Sequence, residues 1–172
     1  MVPTDLNHLI ETTALVSRNQ WKYIADMSLD LDPELPSVVC VAGEVSQVLL
    51  NLIVNAADAI TDALKERSGT KGTIALTTRV ADACVEVRVC DSGTGIPLEV
   101  RSKVFDPFFT TKDVGKGSGQ GLALAYATVV HKHHGTLDFE TKVGAGTTFI
   151  VRLPLAPQPS SDKQGNNRDE QR

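Results

Sequence analysis

The chain lacks a surplus of positive charge. Its 17 Lys and Arg stand against 21 Asp and Glu, for a formal net charge of −4. Non-specific nucleic-acid binding needs a basic field, so nucleic acid is set aside as a partner. An anionic ligand would have to be held by local groups. Cysteine is scarce: Cys40, Cys84 and Cys90 form no CxxC spacing. Their odd number argues against a disulfide framework and for a reducing compartment. No apolar run reaches the roughly 18 residues that span a bilayer, and no signal peptide is visible. Aromatics are only 5% of the chain, yet Phe105, Phe108 and Phe109 crowd together. The 41% hydrophobic content suffices for one core within 172 residues.

Glycine is concentrated. Gly93 and Gly95 form one cluster, and Gly115, Gly117, Gly119 and Gly121 a second. Between them runs Phe105-Asp106-Pro107-Phe108-Phe109-Thr110-Thr111-Lys112. Glycine lets backbone N–H groups approach a ligand closely and permits positive φ. Two such loops around a basic, aromatic hinge read as a phosphate-binding lid on a pocket. The phenylalanines would anchor the loop's ends while Lys112 and Lys116 stay exposed. A glycine-rich turn opening a helix N-terminus is an anion site.

Hydrophobic periodicity supplies the elements. A short helix follows Thr4-Asp5, with Leu6, Leu9, Ile10 and Ala14 on one face. No element is assigned to Met1-Val2-Pro3. Residues 21–30 alternate as a strand, and 38–41 form a short extended piece. A strong amphipathic helix covers 43–67. Strands at 73–80 and 83–91 are joined at Ala81-Asp82. A short helix near 97–103, a second long helix at 119–133, and strands at 136–142 and 147–153 complete the order. Residues 1–155 make one domain, and 156–172 a polar, disordered tail. The expected class is α+β: a two-layer α/β sandwich, with a mixed, mainly antiparallel sheet covered by helices on one face.

Two placements stand out. On the 43–67 helix, Gln47, Asn51, Asn55, Asp58 and Asp62 share one face. Asparagine is a poor helix former, so two of them one turn apart suggest a use. An amide oxygen could hold Mg²⁺ beside phosphates, or the stripe could be a solvated face. In strand 83–91, Asp91 shares parity with Val85, Val87 and Val89 and so continues the buried row. A buried carboxylate is costly unless hydrogen-bonded. It only accepts hydrogen bonds, which favours an adenine amine over the guanine O6. Thr147 ends the row of Phe149, Val151 and Leu153 in the same way. A turn-forming aspartate and an ordinary strand threonine are the plain alternatives.

Together these segments resemble the four boxes of the sensor histidine kinase ATP-binding domain, of the wider gyrase, Hsp90 and MutL group with the Bergerat-type fold. Gln47 through Ala59 resembles the N box and Asp91 through Pro97 the G1 box. Phe105–Lys112 resembles the F box, Gly115–Leu122 the G2 box, and Gly144–Phe149 the closing strand. The resemblance implies ATP and Mg²⁺ as ligands. Asn55 would bind the metal, with Asn51 beside it. Asp91 would bind the adenine amine, and Thr147 would support it through a water. Gly93, Gly95 and Ile96 would shape the adenine pocket. Lys112, Lys116, Gly117, Ser118, Gly119, Gln120, Gly121 and Leu122 would hold the phosphates. Asp58, Ala59, Thr110 and Thr111 complete the expected nucleotide contacts, and Asn51 and Lys112 are the expected catalytic pair.

The hydrolysing members of the group carry a glutamate where this chain has Asn51, and an asparagine is no base at neutral pH. The resemblance therefore implies transfer to a nucleophilic acceptor such as an imidazole. His8, His131, His133 and His134 match no acceptor motif, so the acceptor is expected on a separate histidine-containing dimerisation domain of the same protein. A response regulator receiver domain would be the onward partner. The isolated domain is expected to be monomeric, cytoplasmic, and unable to autophosphorylate alone. The intact protein could be anchored in the bacterial inner membrane. The rivals are a gyrase- or Hsp90-like ATPase and an anti-sigma-type serine kinase of the same fold.

Overall fold

A computed structural model describes residues 1–67, 70–112 and 119–155. Gly115, Lys116, Gly117 and Ser118, and the expected tail at 156–172, lie outside the described residues. Strand β1 (Val2–Thr4) leads into helix α1 (Leu6–Val16) and the single helical turn α2 (Arg18–Trp21). Strands β2 (Ala25–Asp30) and β3 (Val38–Cys40) precede the long helix α3 (Ala42–Glu66). Then come β4 (Gly72–Ala81), β5 (Cys84–Asp91), a 3₁₀ turn at Leu98–Lys103 and α4 (Gly121–Tyr126). Strands β6 (Thr136–Lys142) and β7 (Gly146–Pro154) close the order.

Five strands form one sheet in the order β2-β4-β5-β7-β6. Only the β2–β4 pair is parallel, and the rest are antiparallel. The helices cover one face, so the two-layer α+β expectation holds. The reason is period. Val85, Val87 and Val89 of β5 and Phe149, Val151 and Leu153 of β7 are buried on the helix side. They meet Val45, Leu49, Leu52, Ile53, Ala56 and Ile60 of α3 in one core. Among the described residues, α3 is the one helix long and apolar enough to cross a membrane. Its apolar face is spent on the sheet.

Four departures from the expected elements have physical causes. Strand β2 begins at Ala25, not at residue 21. Trp21 and Ile24 both pack on the core, three residues apart, because Lys22 N–H donates to the Arg18 carbonyl and Ile24 N–H to that of Trp21. That is the spacing of a turn. The chain start is not elementless, since Val2, Pro3 and Thr4 pair antiparallel with Cys40, Val39 and Val38. The expected helix at 119–133 starts at Gly121 and changes geometry midway, becoming a π-helix over Ala127–Lys132. His133 ends it. Its Nδ1 lies 2.8 Å from the Thr128 carbonyl and its Nε2 accepts the Val41 N–H at 3.1 Å. A carbonyl cannot donate, so Nδ1 carries the hydrogen and the ring is a structural clamp on the start of α3.

The fourth departure is on the open face of the sheet. Alternation points Glu86 outward, yet it is 1% exposed. Arg79 on β4, Arg88 on β5 and Arg152 on β7 close over it with hydrogen bonds of 2.7–2.8 Å. Burial alone would raise its pKa. The three guanidiniums outweigh burial and hold it at about 2.

Candidate functional site

The end of β5 is where the apolar row turns polar. Asp91 faces Thr147 across the β5–β7 ladder, and both are buried. Asp91 Oδ1 accepts the Gly93 N–H at 2.8 Å and the Thr147 N–H at 3.3 Å. Oδ2 is buried and has no partner among the described residues. Burial pushes the Asp91 pKa up to about 6, against the lowering pull of the two backbone N–H groups. A buried, half-satisfied carboxylate is destabilising unless a ligand completes it.

The surrounding backbone can approach only because it carries glycine. At Gly146, with φ of +130°, a Cβ would sit 1.9 Å from the Asp91 carbonyl oxygen. At Gly93 it would sit 2.6 Å from the Ala59 methyl of α3. The G1-like loop is thereby pressed between the sheet end and α3.

Where the chain leaves this strand end, at Gly95 and Ile96, it borders a cavity of about 400 Å³. One wall is the polar stripe of α3, with Asn51, Asn55 and Asp58. The facing wall is Gly95, Ile96, Pro97, Val100 and Phe109, and Thr110, Thr111, Lys112, Gly119, Gly121 and Leu122 close the rim. Most predicted contacts thus converge. Ala59, Asp91, Gly93, Thr147 and Gln120 do not line the cavity wall itself. Apolar walls with a few polar groups at defined points are the usual make-up of a small-molecule site.

The three α3 side chains are not equivalent. Asn51 is occupied at both ends of its amide. Its Nδ2 donates to the Gly121 carbonyl at 3.1 Å, and its Oδ1 accepts from Gln47 Nε2 at 3.0 Å. It tethers α3 to the first residue of α4. Asp58 is ion-paired with Lys112. Asn55 has no hydrogen-bond partner among the described residues. Of the two asparagines, it is the one whose amide oxygen accepts no hydrogen bond among the described residues and so is available to a metal. No group of three or more His, Cys, Asp or Glu among the described residues could hold a metal ion. A cation at Asn55 would take its other ligands from phosphates and water, as Mg²⁺ commonly does.

The aromatic hinge is anchored at one end only. Phe105 packs on Tyr126, Phe139 and Phe149, with ring centroids 5.1–6.4 Å apart. Phe108 is exposed at positive φ, so it is not an anchor. Phe109 turns into the cavity.

Sequence reasoning missed Thr141 of β6. Its hydroxyl accepts the Ile96 N–H at 2.9 Å, faces the Gly146 carbonyl at 3.1 Å and meets Thr147 Oγ1 at 2.9 Å. The signal was present, because Thr141 ends the inward row of Leu137 and Phe139 as Asp91 ends that of the valines. Arg101, which donates to the Ile96 carbonyl at 3.1 Å, gave no such signal.

Comparison with known proteins agrees with this geometry. The sequence model of a family described as "Histidine kinase-, DNA gyrase B-, and HSP90-like ATPase" matches residues 41–157. The sensor kinase CckA of Brucella abortus (strain 2308) is 38% identical over 144 residues, covering 75% of this chain and 14% of its own length. The signal transduction histidine-protein kinase AtoS of Escherichia coli (strain K12) is 36% identical over 155 residues, covering 89% of this chain and 24% of its own. The chain therefore spans a quarter or less of these relatives. The solved catalytic domain of histidine kinase ThkA superposes with a TM-score of 0.76 at 30% identity, covering 91% of this chain and 96% of that one. ThkA has also been solved in complex with the response regulator protein TrrA.

Proposed function

The chain belongs to the histidine kinase-, DNA gyrase B- and HSP90-like ATPase family, and on that premise we propose that it is the ATP-binding catalytic domain of a two-component sensor histidine kinase. It passes the γ-phosphoryl group of ATP to a histidine on a separate dimerisation domain, for relay to an aspartate of a response regulator. Asp91 Oδ2 receives the adenine amine. Asn55 would hold the Mg²⁺ that accompanies the nucleotide, which would supply neutralisation of phosphate charge. Lys112 and the rim from Gly119 to Leu122 face the phosphates, with Lys116, Gly117 and Ser118 completing them in our reading. Phosphoryl transfer asks mainly for positioning and charge neutralisation, which such groups supply. The domain works in the cytoplasm, where ATP is available.

The observation that favours transfer over hydrolysis is the state of Asn51. It stands where a hydrolase would place a carboxylate base. An amide cannot take a proton from water, and this one is engaged by Gln47 and Gly121. Hydrolysis by the isolated chain should therefore be very slow, with no acid-labile phosphate appearing on the chain itself. Calorimetry should find ATP binding, and Asn55→Ala should weaken Mg-ATP far more than metal-free ATP. Rapid turnover by the isolated chain would overturn the transfer reading. Equal losses with and without metal would remove Asn55 as the ligand.

A further inference from the structure

We infer that Thr141 sets the purine specificity of the pocket by fixing the direction of the Thr147 hydroxyl hydrogen. The inference rests on the adenine-binding reading of Asp91 and concerns a residue outside the contacts named for it.

A threonine hydroxyl has one hydrogen to donate and two lone pairs to receive. Thr141 Oγ1 makes three contacts, to Ile96 N at 2.9 Å, the Gly146 carbonyl at 3.1 Å and Thr147 Oγ1 at 2.9 Å. A backbone N–H can only donate, and a carbonyl oxygen can only accept. The Thr141 hydrogen therefore goes to Gly146, and one lone pair takes the Ile96 N–H. The contact with Thr147 is then a hydrogen bond only if Thr147 donates. One proton arrangement satisfies all three contacts.

Strand order gives this arrangement a consequence. Strand β7 lies between β5 and β6. Thr147 pairs with Asp91 on one side and with Thr141 on the other. Its hydroxyl hydrogen is drawn towards β6, away from Asp91. What Thr147 Oγ1 keeps for the β5 side is lone pairs. Asp91 Oδ2, when ionised, also offers only lone pairs. The two side chains, 5% and 4% exposed, form an acceptor-only pair. Such a pair complements the exocyclic amine of adenine, directly or through a water. It opposes the carbonyl that guanine and hypoxanthine carry at the same ring position. Without Thr141, the Thr147 hydroxyl could rotate and donate to that carbonyl.

The test is the ratio of dissociation constants for ATP and ITP, which differ in this amine and carbonyl and in the hydrogen that hypoxanthine carries on the adjoining N1. It is measured by calorimetry at pH 8, where Asp91, raised to about 6, is ionised. The wild-type chain should prefer ATP. Thr141→Val should narrow that preference about fivefold, the scale of one hydrogen bond, and Thr141→Ser should restore it. Thr147→Val, which leaves the Ile96 contact intact, should narrow it similarly. In that background Thr141→Val should add nothing. If Thr141→Val weakens both nucleotides by one factor, or if Thr147→Val leaves the ratio unchanged, the inference is overturned. A wild-type chain that binds both nucleotides equally would instead remove the adenine reading of Asp91, and this inference with it.

Discussion

Strand β5 carries two carboxylates of opposite fate. Glu86 and Asp91 are 1% and 4% exposed, on opposite faces of the same strand. Burial penalises the charged form of both. Glu86 is nonetheless held at a pKa of about 2, while Asp91 rises to about 6. The difference lies in partners. Glu86 is met by three arginines from three strands. Asp91 is met by two backbone N–H groups on one oxygen, and its other oxygen has no partner among the described residues. Burial does not by itself mark a functional carboxylate. Burial without compensation makes a carboxylate a candidate, because a ligand can supply the missing partner.

The strongest way to break this contrast is to remove the uncompensated charge. Asp91→Asn should reduce ATP affinity at least 100-fold by calorimetry while raising the thermal midpoint at pH 8. Folded Asp91 binds its proton more tightly than the unfolded chain does, since its pKa rises from 3.8 to about 6. Between those pH values wild-type stability should fall as pH rises, by about 3 kcal/mol in all, and then level off. Urea unfolding at pH 4.5 and 8 should show that Asp91→Asn loses this fall. A variant less stable than wild type at pH 8 would mean that Asp91 is compensated after all.

Glu86 should behave in the opposite sense. Its folded pKa lies below the ordinary value of 4.5, so its contribution is present above that pH and is lost as pH falls towards 2. Glu86→Gln leaves three guanidiniums facing a neutral group. Those arginines are 29–58% exposed, so water screens part of the loss. About 2 kcal/mol of destabilisation at pH 7 is expected, with the ATP dissociation constant unchanged within about twofold. A large loss of ATP affinity would show that the outer face is tied to the pocket.

The same two residues show what could be read in advance. Parity along β5 placed Asp91 with the valines, and parity along β7 placed Thr147 with Phe149, Val151 and Leu153, because period two is a local property of a strand. The fate of Glu86 was hidden. Alternation assigns a face, but the cover came from Arg79 on β4 and Arg152, 66 residues away on β7. Asn51 divides likewise. Its place on the polar stripe follows from helical spacing, whereas its tether to Gly121 crosses 70 residues. Alternation over 21–30 reads as a strand from Trp21 onward, and the backbone bonds around α2 override it there.

Asp58 supplies an intermediate case between Glu86 and Asp91. It is paired, like Glu86, but with one lysine among the described residues, and its side chain is 42% exposed at the cavity wall. Such pairs contribute little to stability, so Asp58→Asn should leave the thermal midpoint nearly unchanged. Its effect should appear in binding. Lys112 reaches Asp58 from the F-box segment, and the phosphates would compete with Asp58 for that ammonium. Releasing Lys112 should tighten ATP and ADP about two- to threefold, a gain of about 0.5 kcal/mol. Adenosine, which has no phosphate, should bind as before. The gain should shrink with added salt, because the competing charges sit at a wet rim. If adenosine tightens equally, Asp58 acts on the adenine side and the division between floor and rim fails. If ATP weakens instead, the Asp58–Lys112 pair holds the lysine in place for the phosphates and does not withhold it from them.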